Sequence, residues 1–442
     1  MIIEQIMFRK NKAAIMRILR AANQSEYYRA VFCDANIHIE DIQSYEDFTK
    51  IPILDKTAYE IYKFSMIANS EKRKEIKDRL QNSTDLQHRR KVCEDNGIYL
   101  KVTSGSTGNP LEILKDKNDL LREYIGLNYA RVKLLGSIPK GKYVWIWPAS
   151  EKIREYFYED GKVNIYKDTQ YGFKYMIPEY SQDSFGRLFS FIKENSISWI
   201  TAPPSMMCLF AQYIETNNLE IRFSYIECHS EKLYEWQSNY LKRIFGCQPS
   251  NVYSSNEIQF MGITDYNHIM HVISQNVFLE LIEDKEGERK VYATSLCAQE
   301  IPIIRYCLGD VARWKEKNVD EMSRSPSFII SGYRCNDYII TRDGGKFEPF
   351  IISDLLILLN DSFSLGVKEY VVQQNGYEKF TFYFSEDVKK SVHRDEKIRD
   401  YIHNYLYSIL KADVDIDYMN IDKIREETGT NKYKYFLGMK NE

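Results

Sequence analysis

A loop dense in hydroxyls and glycines, Thr103-Ser104-Gly105-Ser106-Thr107-Gly108-Asn109-Pro110, constrains this chain more than any other segment. It follows an apolar and β-branched run over residues 97–102, which predicts a strand. The glycines let the backbone turn tightly, and the Ser and Thr side chains add O–H donors to the backbone N–H groups. Such a loop suits a phosphate chain, although on its own it is also typical of a hairpin turn.

The composition is that of a globular protein with more than one domain, because 442 residues exceed what one core usually organises. A formal net charge of −3 gives no reason to expect nucleic acid as a partner. No run of about 18 apolar residues occurs, and the N-terminus does not resemble a signal peptide. We therefore predict no membrane span and a cytoplasmic location. The 8 scattered cysteines lack a Cys-x-x-Cys pair, which predicts reduced thiols and no structural zinc site.

The apolar pattern divides the chain into three regions. Residues 1–95 predict mainly helices. From about residue 98 to 330, strand-like and helical segments alternate, which predicts an α/β domain with mostly parallel sheets and crossover helices. Ligands bind such sheets beyond the carboxyl ends of strands, where we expect the loop over 103–110. A later hairpin, two helices and two strands predict a small, mobile α+β domain. We place an N-terminal domain at 1–333 and a C-terminal lid domain at 334–442, joined by a short hinge.

Four segments occur along the chain in an informative order: Thr103–Pro110, Tyr253–Glu257, Ile304–Asp310 and Gly332–Asp337. Together they resemble the adenylate-forming acyl-CoA-synthetase superfamily. The resemblance is closest to its phenylacetate–CoA ligase and CapK-like capsule-biosynthesis branch, since residues 26–29, 48–56 and 337–346 resemble signatures of that branch.

The resemblance implies a ligase that uses ATP and Mg²⁺ to activate a small-molecule carboxylic acid as acyl-AMP. The acyl group then passes to an acceptor such as CoA or an amine after the C-terminal domain rotates. Trp145, Trp147, Met206 and Met207 favour an apolar or aryl acid if they line the pocket, and they fit an ordinary core equally well. The acid, the acceptor and the oligomeric state stay open.

The resemblance also implies individual roles around the nucleotide. The phosphate loop corresponds to Thr103, Ser104, Gly105, Ser106, Thr107 and Gly108, and Glu257 corresponds to the acid that holds Mg²⁺. Asp310 matches the carboxylate that accepts hydrogen bonds from both ribose hydroxyls, for which a bidentate acceptor is well suited. Nucleotide contacts are further implied for Ser230, Glu231, Tyr253, Ser254, Ser255, Asn256 and Arg334. Arg305 either pairs locally or steers the acyl carboxylate.

The C-terminal motif departs most from the pattern of the family. Lys432 matches the lysine that meets the forming acyl-phosphate, with Lys434 as a neighbouring candidate. A cation there would offset the negative charge that builds during the attack. Leu111 stands where many relatives carry a lysine. Asn336 stands where relatives usually carry an Asp or Lys at the hinge.

Two alternatives from other classes stay open beside the ligase. One is an adenylyltransferase that places AMP on a hydroxyl, as in deazaflavin coenzymes, or an amide-forming ligase of polysaccharide biosynthesis. The other is a non-catalytic scaffold that retains the fold.

Overall fold

The computed structural model describes residues 2–68, 70–83, 85–102, 112–148, 165–167, 170–177, 182–283, 289–315, 326–334, 339–342, 346–347, 352, 355–356, 359, 362–367, 370–410, 412–428 and 436–439. The chain folds into two compact units. The large unit draws on Met1–Trp147, Asn164–Tyr175 and Ser181–Ile330, and the small unit draws mainly on Ser331–Glu442. The domain boundary at 333/334 stays a prediction.

Helices dominate the first part of the large unit, as the apolar spacing predicted. They are α1 (Ile2–Ala22), α2 (Glu26–Asp34), a 3₁₀ turn (Ile39–Asp41), α3 (Tyr45–Phe48), α4 (Lys56–Tyr62), α5 (Ser70–Gln81) and α6 (Leu86–Asp95). Among the described residues, the helices that follow are α7 (Lys117–Leu135), α8 (Gln182–Glu194), α9 (Pro204–Thr216) and α10 (Glu235–Phe245). The Asp116 carboxylate accepts the Asn118 N–H at 2.8 Å and so caps the start of α7, which ends at Gly136 with a left-handed φ of 81°.

The strands of the large unit form a hairpin and one extended sheet. The hairpin pairs β1 (Ile98–Val102) with β2 (Glu112–Asp116). The sheet contains β3 (Lys142–Pro148), β4 (Ile165–Lys167), β5 (Gly172–Ile177), β6 (Ile197–Ala202), β7 (Tyr225–His229), β8 (Ser250–Tyr253), β9 (Gly262–Thr264), β10 (Met270–Val272), β11 (Val277–Glu283), β12 (Arg289–Ser295), β13 (Tyr306–Trp314) and β14 (Ser327–Arg334). Their order is β11-β12-β13-β14-β10-β9-β8-β7-β6-β3-β5-β4.

The predicted α/β class is confirmed, and the pairing of the strands refines it. Parallel pairs join β3 to β6, β6 to β7 and β7 to β8. Antiparallel pairs flank this centre, as in β8–β9, β9–β10 and β11–β12. The sheet is therefore mixed, and the parallel pairs named here join strands that crossover helices connect.

The strand before the hydroxyl-rich loop lies elsewhere than predicted. β1 pairs antiparallel with β2, from Ile98 opposite Asp116 to Val102 opposite Glu112, and the pair forms a separate sheet. Placing the loop at the carboxyl end of a strand of the large sheet was therefore wrong. The apolar run identified the strand correctly, and its partner is the next strand along the chain, so the two form a local hairpin outside the large sheet.

Arg305 ties the N-terminal helices to the sheet. The Leu54 N–H donates to the Arg305 carbonyl at 3.1 Å, and the Cys307 N–H donates to the Leu54 carbonyl at 2.9 Å. The buried Arg305 guanidinium donates to Glu280 at 3.1 Å and to the carbonyls of Thr49 and Ile51. Arg305 adopts a left-handed φ of 50°, which these contacts hold in place. Of its two interpretations, local pairing is the one this geometry supports.

The small unit packs a four-stranded sheet against helices. Its strands are β15 (Ile339–Ile340), β16 (Lys346–Phe347), β17 (Tyr370–Gly376), β18 (Lys379–Phe384), β19 (Asp415–Asn420) and β20 (Phe436–Leu437), and its helices are α11 (Glu386–Arg394), α12 (Glu396–Leu410) and α13 (Ile421–Thr428). The sheet runs β19-β18-β17-β20, while β15 and β16 form the predicted hairpin. Phe380, Phe382 and Phe384 are buried in its core. Among the described helices of both units, none has the length and hydropathy needed to cross a bilayer.

Replacing Arg305 by methionine tests the anchor. Arg305→Met is expected to lower the free energy of unfolding by about 3–5 kcal/mol, because the buried Glu280 carboxylate loses its cationic partner. Urea denaturation followed by tryptophan fluorescence measures the change. Arg20→Met is the matched control, since Arg20 and its partner Glu40 are 60% and 72% exposed and should shift the midpoint little. Equal midpoints for the two variants would contradict the anchor.

Candidate functional site

Two hydrogen bonds join the segment 253–257 to the segment 306–310. The Tyr253 hydroxyl donates to the Asp310 carboxylate at 2.7 Å. The Tyr306 hydroxyl donates to the Glu257 carboxylate at 2.9 Å. The two acids that the sequence assigns to ribose and to magnesium are thus each held by a tyrosine of the other segment. This double link brings two of the four predicted motifs together.

Tyr306 and Tyr59 continue the network behind Glu257. Burial, and then the nearby Glu257 charge, raises the pKa of Tyr306, so its hydroxyl stays protonated and donates. The ring of Tyr59 packs edge-on at 6.1 Å, and its hydroxyl accepts the Leu114 N–H at 3.2 Å. Sequence analysis assigned neither tyrosine a role. The sequence carried no signal for Tyr306, because β13 is irregular between Tyr306 and Asp310: its register against β12 shifts between Cys307 and Val311, and Gly309 has a left-handed φ of 76°.

The loop after β8 is shaped by its own serines. The Ser255 hydroxyl accepts the Ile258 N–H at 3.0 Å, and the Ser254 hydroxyl accepts the Phe260 N–H at 3.2 Å. Both residues therefore fix the backbone on either side of Glu257. Their contact with a nucleotide, like that of Asn256, stays a prediction.

The carboxyl ends of parallel strands bring further predicted residues to this edge of the sheet. His229, the last residue of β7, stacks on Trp147 with ring centroids 5.6 Å apart and meets Trp145 edge-on at 5.7 Å. Ser230 follows with a left-handed φ of 68°, and the Glu231 carbonyl accepts a hydrogen bond from Asn251 on β8 at 3.3 Å. The half-buried tryptophans thus form an aromatic wall beside the predicted adenine-wall segment.

Met206 and Met207 do not belong to that wall. Both side chains are fully buried in α9, with 0% exposure. Their core interpretation is the one the structure supports.

Several predicted site residues lie outside the described part of the chain. These are Thr103, Ser104, Gly105, Ser106, Thr107, Gly108 and Lys432. Arg334 is the last residue of β14, but its side chain is likewise outside the description. Their roles stay predictions.

A buried ion pair connects the hairpin to the loop that carries Glu257. The Lys115 ammonium donates to the Glu123 carboxylate at 2.6 Å, with the side chains 2% and 0% exposed. The same carboxylate accepts the Gln259 N–H at 3.3 Å. Asn276 donates to the backbone carbonyls of Glu123 and Phe260 at 2.8 and 3.0 Å. These contacts therefore fix the positions of β2, α7 and the residues just after Glu257 relative to one another.

Lys101 adds a second cation next to this pair. Burial, and then the Lys115 charge, lowers the pKa of Lys101 to about 8. Its strand β1 ends at Val102, immediately before the loop predicted to hold phosphates. The neighbourhood therefore carries excess positive charge, which suits an anionic ligand.

The prediction of a Mg²⁺ site depends on Glu257. No group of three or more His, Cys, Asp or Glu side chains is close enough to hold an ion within these residues. Mg²⁺ commonly binds one or two carboxylates together with substrate phosphates, so a single acid suffices. The half-buried Glu257, oriented by Tyr306, offers the hard oxygen donor that such an ion requires.

Removing Glu123 tests the buried pair. Glu123→Ala is expected to lower the free energy of unfolding by about 3–5 kcal/mol, because Lys115 stays buried without its partner. The double variant Glu123→Leu with Lys115→Met should recover most of that loss, since no buried charge remains. Chemical denaturation of the three proteins measures both changes. A double variant as unstable as Glu123→Ala would contradict this account.

Comparison with known proteins identifies the fold. No protein-family model matches the sequence, and no curated protein matches it. The structure is similar to 2-hydroxyisobutyryl-CoA ligase solved in the postadenylation state with R3-HIB-AMP, with a TM-score of 0.65 and 15% identity over 97% of this chain and 90% of that chain. This chain shares the fold of that ligase.

Another structure of the same ligase agrees with this result. Its open conformation in complex with 2-HIB-AMP and CoA gives a TM-score of 0.53 at 14% identity, covering 99% of this chain and 91% of that chain. The match extends over nearly the whole chain, so both units take part in it. At this level of identity the likeness concerns the fold, and the activity has to be argued from the site.

Proposed function

We propose that this chain is an ATP-dependent, adenylate-forming ligase. It would activate a small-molecule carboxylic acid as acyl-AMP and pass the acyl group to CoA or an amine. The observation that carries this proposal is the double link between 253–257 and 306–310. Through it, the acid assigned to ribose and the acid assigned to magnesium belong to one cluster, next to a cationic neighbourhood that can receive phosphates.

The reaction needs positioning and charge stabilisation more than covalent chemistry by the protein. A carboxylate oxygen of the acid attacks the α-phosphorus, the bond to the bridging oxygen breaks, and pyrophosphate leaves with the electron pair. In the second step a thiol or amine attacks the acyl carbon, loses its proton, and AMP departs. Asp310 would hold the ribose hydroxyls, the loop over 103–108 the β- and γ-phosphates, and Lys432 the charge at the attacked phosphate.

Mg²⁺ bound by Glu257 would neutralise charge on the phosphates as pyrophosphate separates. Tyr306 orients that carboxylate through its hydroxyl and keeps one oxygen engaged. The protein's own contribution is thus a carboxylate held in a fixed direction.

The aromatic wall supports an apolar or aryl acid as the substrate class. Trp145, Trp147 and His229 cluster at the carboxyl edge of the sheet, where ligands of such folds bind, and Lys174 lies over the Trp145 ring at 5.2 Å. The signatures at 26–29 and 48–56 favour the phenylacetate–CoA ligase and CapK-like branch.

ATP–pyrophosphate exchange over a panel of carboxylic acids tests the function. We expect exchange only when an acid is present, with apolar and aryl acids the best substrates. Glu257→Gln should lower kcat/KM about 100-fold or more, because the metal loses its protein carboxylate. Glu283→Gln is the matched control, since that acid is exposed at the end of β11 and should leave kcat/KM unchanged.

The same assay separates the alternatives. Exchange that needs no carboxylic acid would favour adenylation of a hydroxyl. If the wild type binds no nucleotide, and the double variant Thr107→Ala with Glu257→Ala behaves like the wild type in the exchange assay, the protein is a scaffold. Either outcome would overturn the proposal.

Lys101 gives an independent test through proton uptake. Phosphates bound beyond Val102 should raise the pKa of Lys101 from about 8, since their negative charge favours the ammonium. Near pH 8 nucleotide binding would then take up protons, whereas near pH 6 Lys101 is already charged and contributes none. Titration calorimetry in two buffers of different ionisation enthalpy measures the uptake. Lys101→Met should lose it and the exposed Lys140→Met should keep it; equal uptake in both variants would contradict this role.

A further inference from the structure

The outward face of α7 is apolar, whereas surface helices normally present polar residues to solvent. Between Lys117 and Lys133, all of which are described, the exposed positions are Asn118, Leu121, Tyr124, Ile125, Tyr129 and Val132. None of these six is charged, although 28% of the whole sequence is charged. The exposed Lys117 and Lys133 bound this face at its two ends, and Arg122 beside it is 36% exposed. An uncharged face of this length indicates a surface that another molecule covers.

The inward face of the same helix carries the charges. Glu123 pairs with Lys115, and Arg131 donates to Glu227 at 2.7 Å, both pairs being buried. Asp119 accepts the Gln299 N–H at 3.1 Å. Because these contacts fix the rotation of α7 about its axis, the apolar face cannot turn inward without exposing the pairs. The outward direction of the apolar residues is therefore a property of the fold.

The surface extends beyond the helix at its carboxyl end. Tyr266 is 56% exposed, and its hydroxyl donates to the Leu135 carbonyl at 3.1 Å. A cavity of about 100 Å³ opens beside Tyr129, with Leu134 and Val272 among its lining residues. We name the set of Leu121, Tyr124, Ile125, Tyr129, Val132 and Tyr266 the α7 stripe.

The size of the α7 stripe matches one half of a protein interface. Its members are 59%, 37%, 60%, 54%, 49% and 56% exposed, in the order just given. Taking about 200 Å² as the full area of a large side chain, the stripe offers about 600 Å² on each copy. Two copies face to face would bury about 1,200 Å², which reaches the range of specific interfaces.

We propose that two copies of this chain form a dimer through the α7 stripe. An isologous contact places the six uncharged side chains against those of the second copy and leaves the exposed Lys117 and Lys133 at the rim. A two-fold axis at Ile125 would run the helices antiparallel and set Leu121 against Tyr129 of the second copy. The opposed helix dipoles favour this direction.

Sedimentation velocity from about 1 µM to about 100 µM tests the dimer on the full chain. The wild type is expected to sediment as a dimer at the upper end of this range. Ile125→Glu should raise the dissociation constant about 100-fold or more, because it sets two like charges against each other at the axis. Ile61→Glu is the matched control: Ile61 is 64% exposed on α4, away from the stripe, and the variant should associate like the wild type.

Far-ultraviolet circular dichroism and thermal unfolding of both variants check that each chain is folded. A wild type that stays monomeric at the highest concentration would overturn the proposal. So would a dimer that Ile125→Glu leaves intact, or one that both substitutions weaken equally. Nucleotide exchange by the wild type does not bear on these outcomes, so the dimer and the ligase proposal fail separately.

Discussion

Two tyrosine hydroxyls each donate a hydrogen bond to a carboxylate, and in each pair one residue belongs to the segment 253–257 and the other to the segment 306–310. The bonds from Tyr253 to Asp310 and from Tyr306 to Glu257 fix how β13 lies against the loop after β8. β13 in turn begins directly after Arg305, whose guanidinium binds Glu280 and the segment that precedes α4. The N-terminal helices therefore contribute to the site through the backbone they hold, as well as through Tyr59.

Buried ion pairs recur at each junction that positions this edge. Arg305 with Glu280 joins the N-terminal region to the sheet, Lys115 with Glu123 joins the hairpin to α7, and Arg131 with Glu227 joins α7 to β7. Such pairs add little net stability, because desolvation offsets much of their attraction. A mismatched arrangement would nevertheless leave a charge buried alone, which costs several kcal/mol. We interpret these pairs as devices that select one register among several apolar packings.

Local sequence patterns predicted where helices and strands lie, but they could not predict which strands pair in the large sheet. The apolar pattern indicated helices before residue 95 and alternating strands and helices from about residue 98 to 330, because period and helix or strand length are properties of a short window. The same window cannot reveal that the large sheet is mixed, since pairs such as β10 with β14 join residues far apart along the chain. In the site, motif order led to Glu257 and Asp310. Tyr59 was missed because its role depends on a packing contact with Tyr306.

The separate hairpin has a consequence for the loop it carries. Val102 and Glu112 are paired, so the residues between them must leave and return at one point. Glu112 is held there by salt bridges with Lys63 and Arg89. A segment whose two ends are held together by strand pairing has lost part of its conformational entropy before any ligand binds. Ordering it around a bound molecule then costs less than ordering an open tail of equal length, so more of the contact energy remains as affinity.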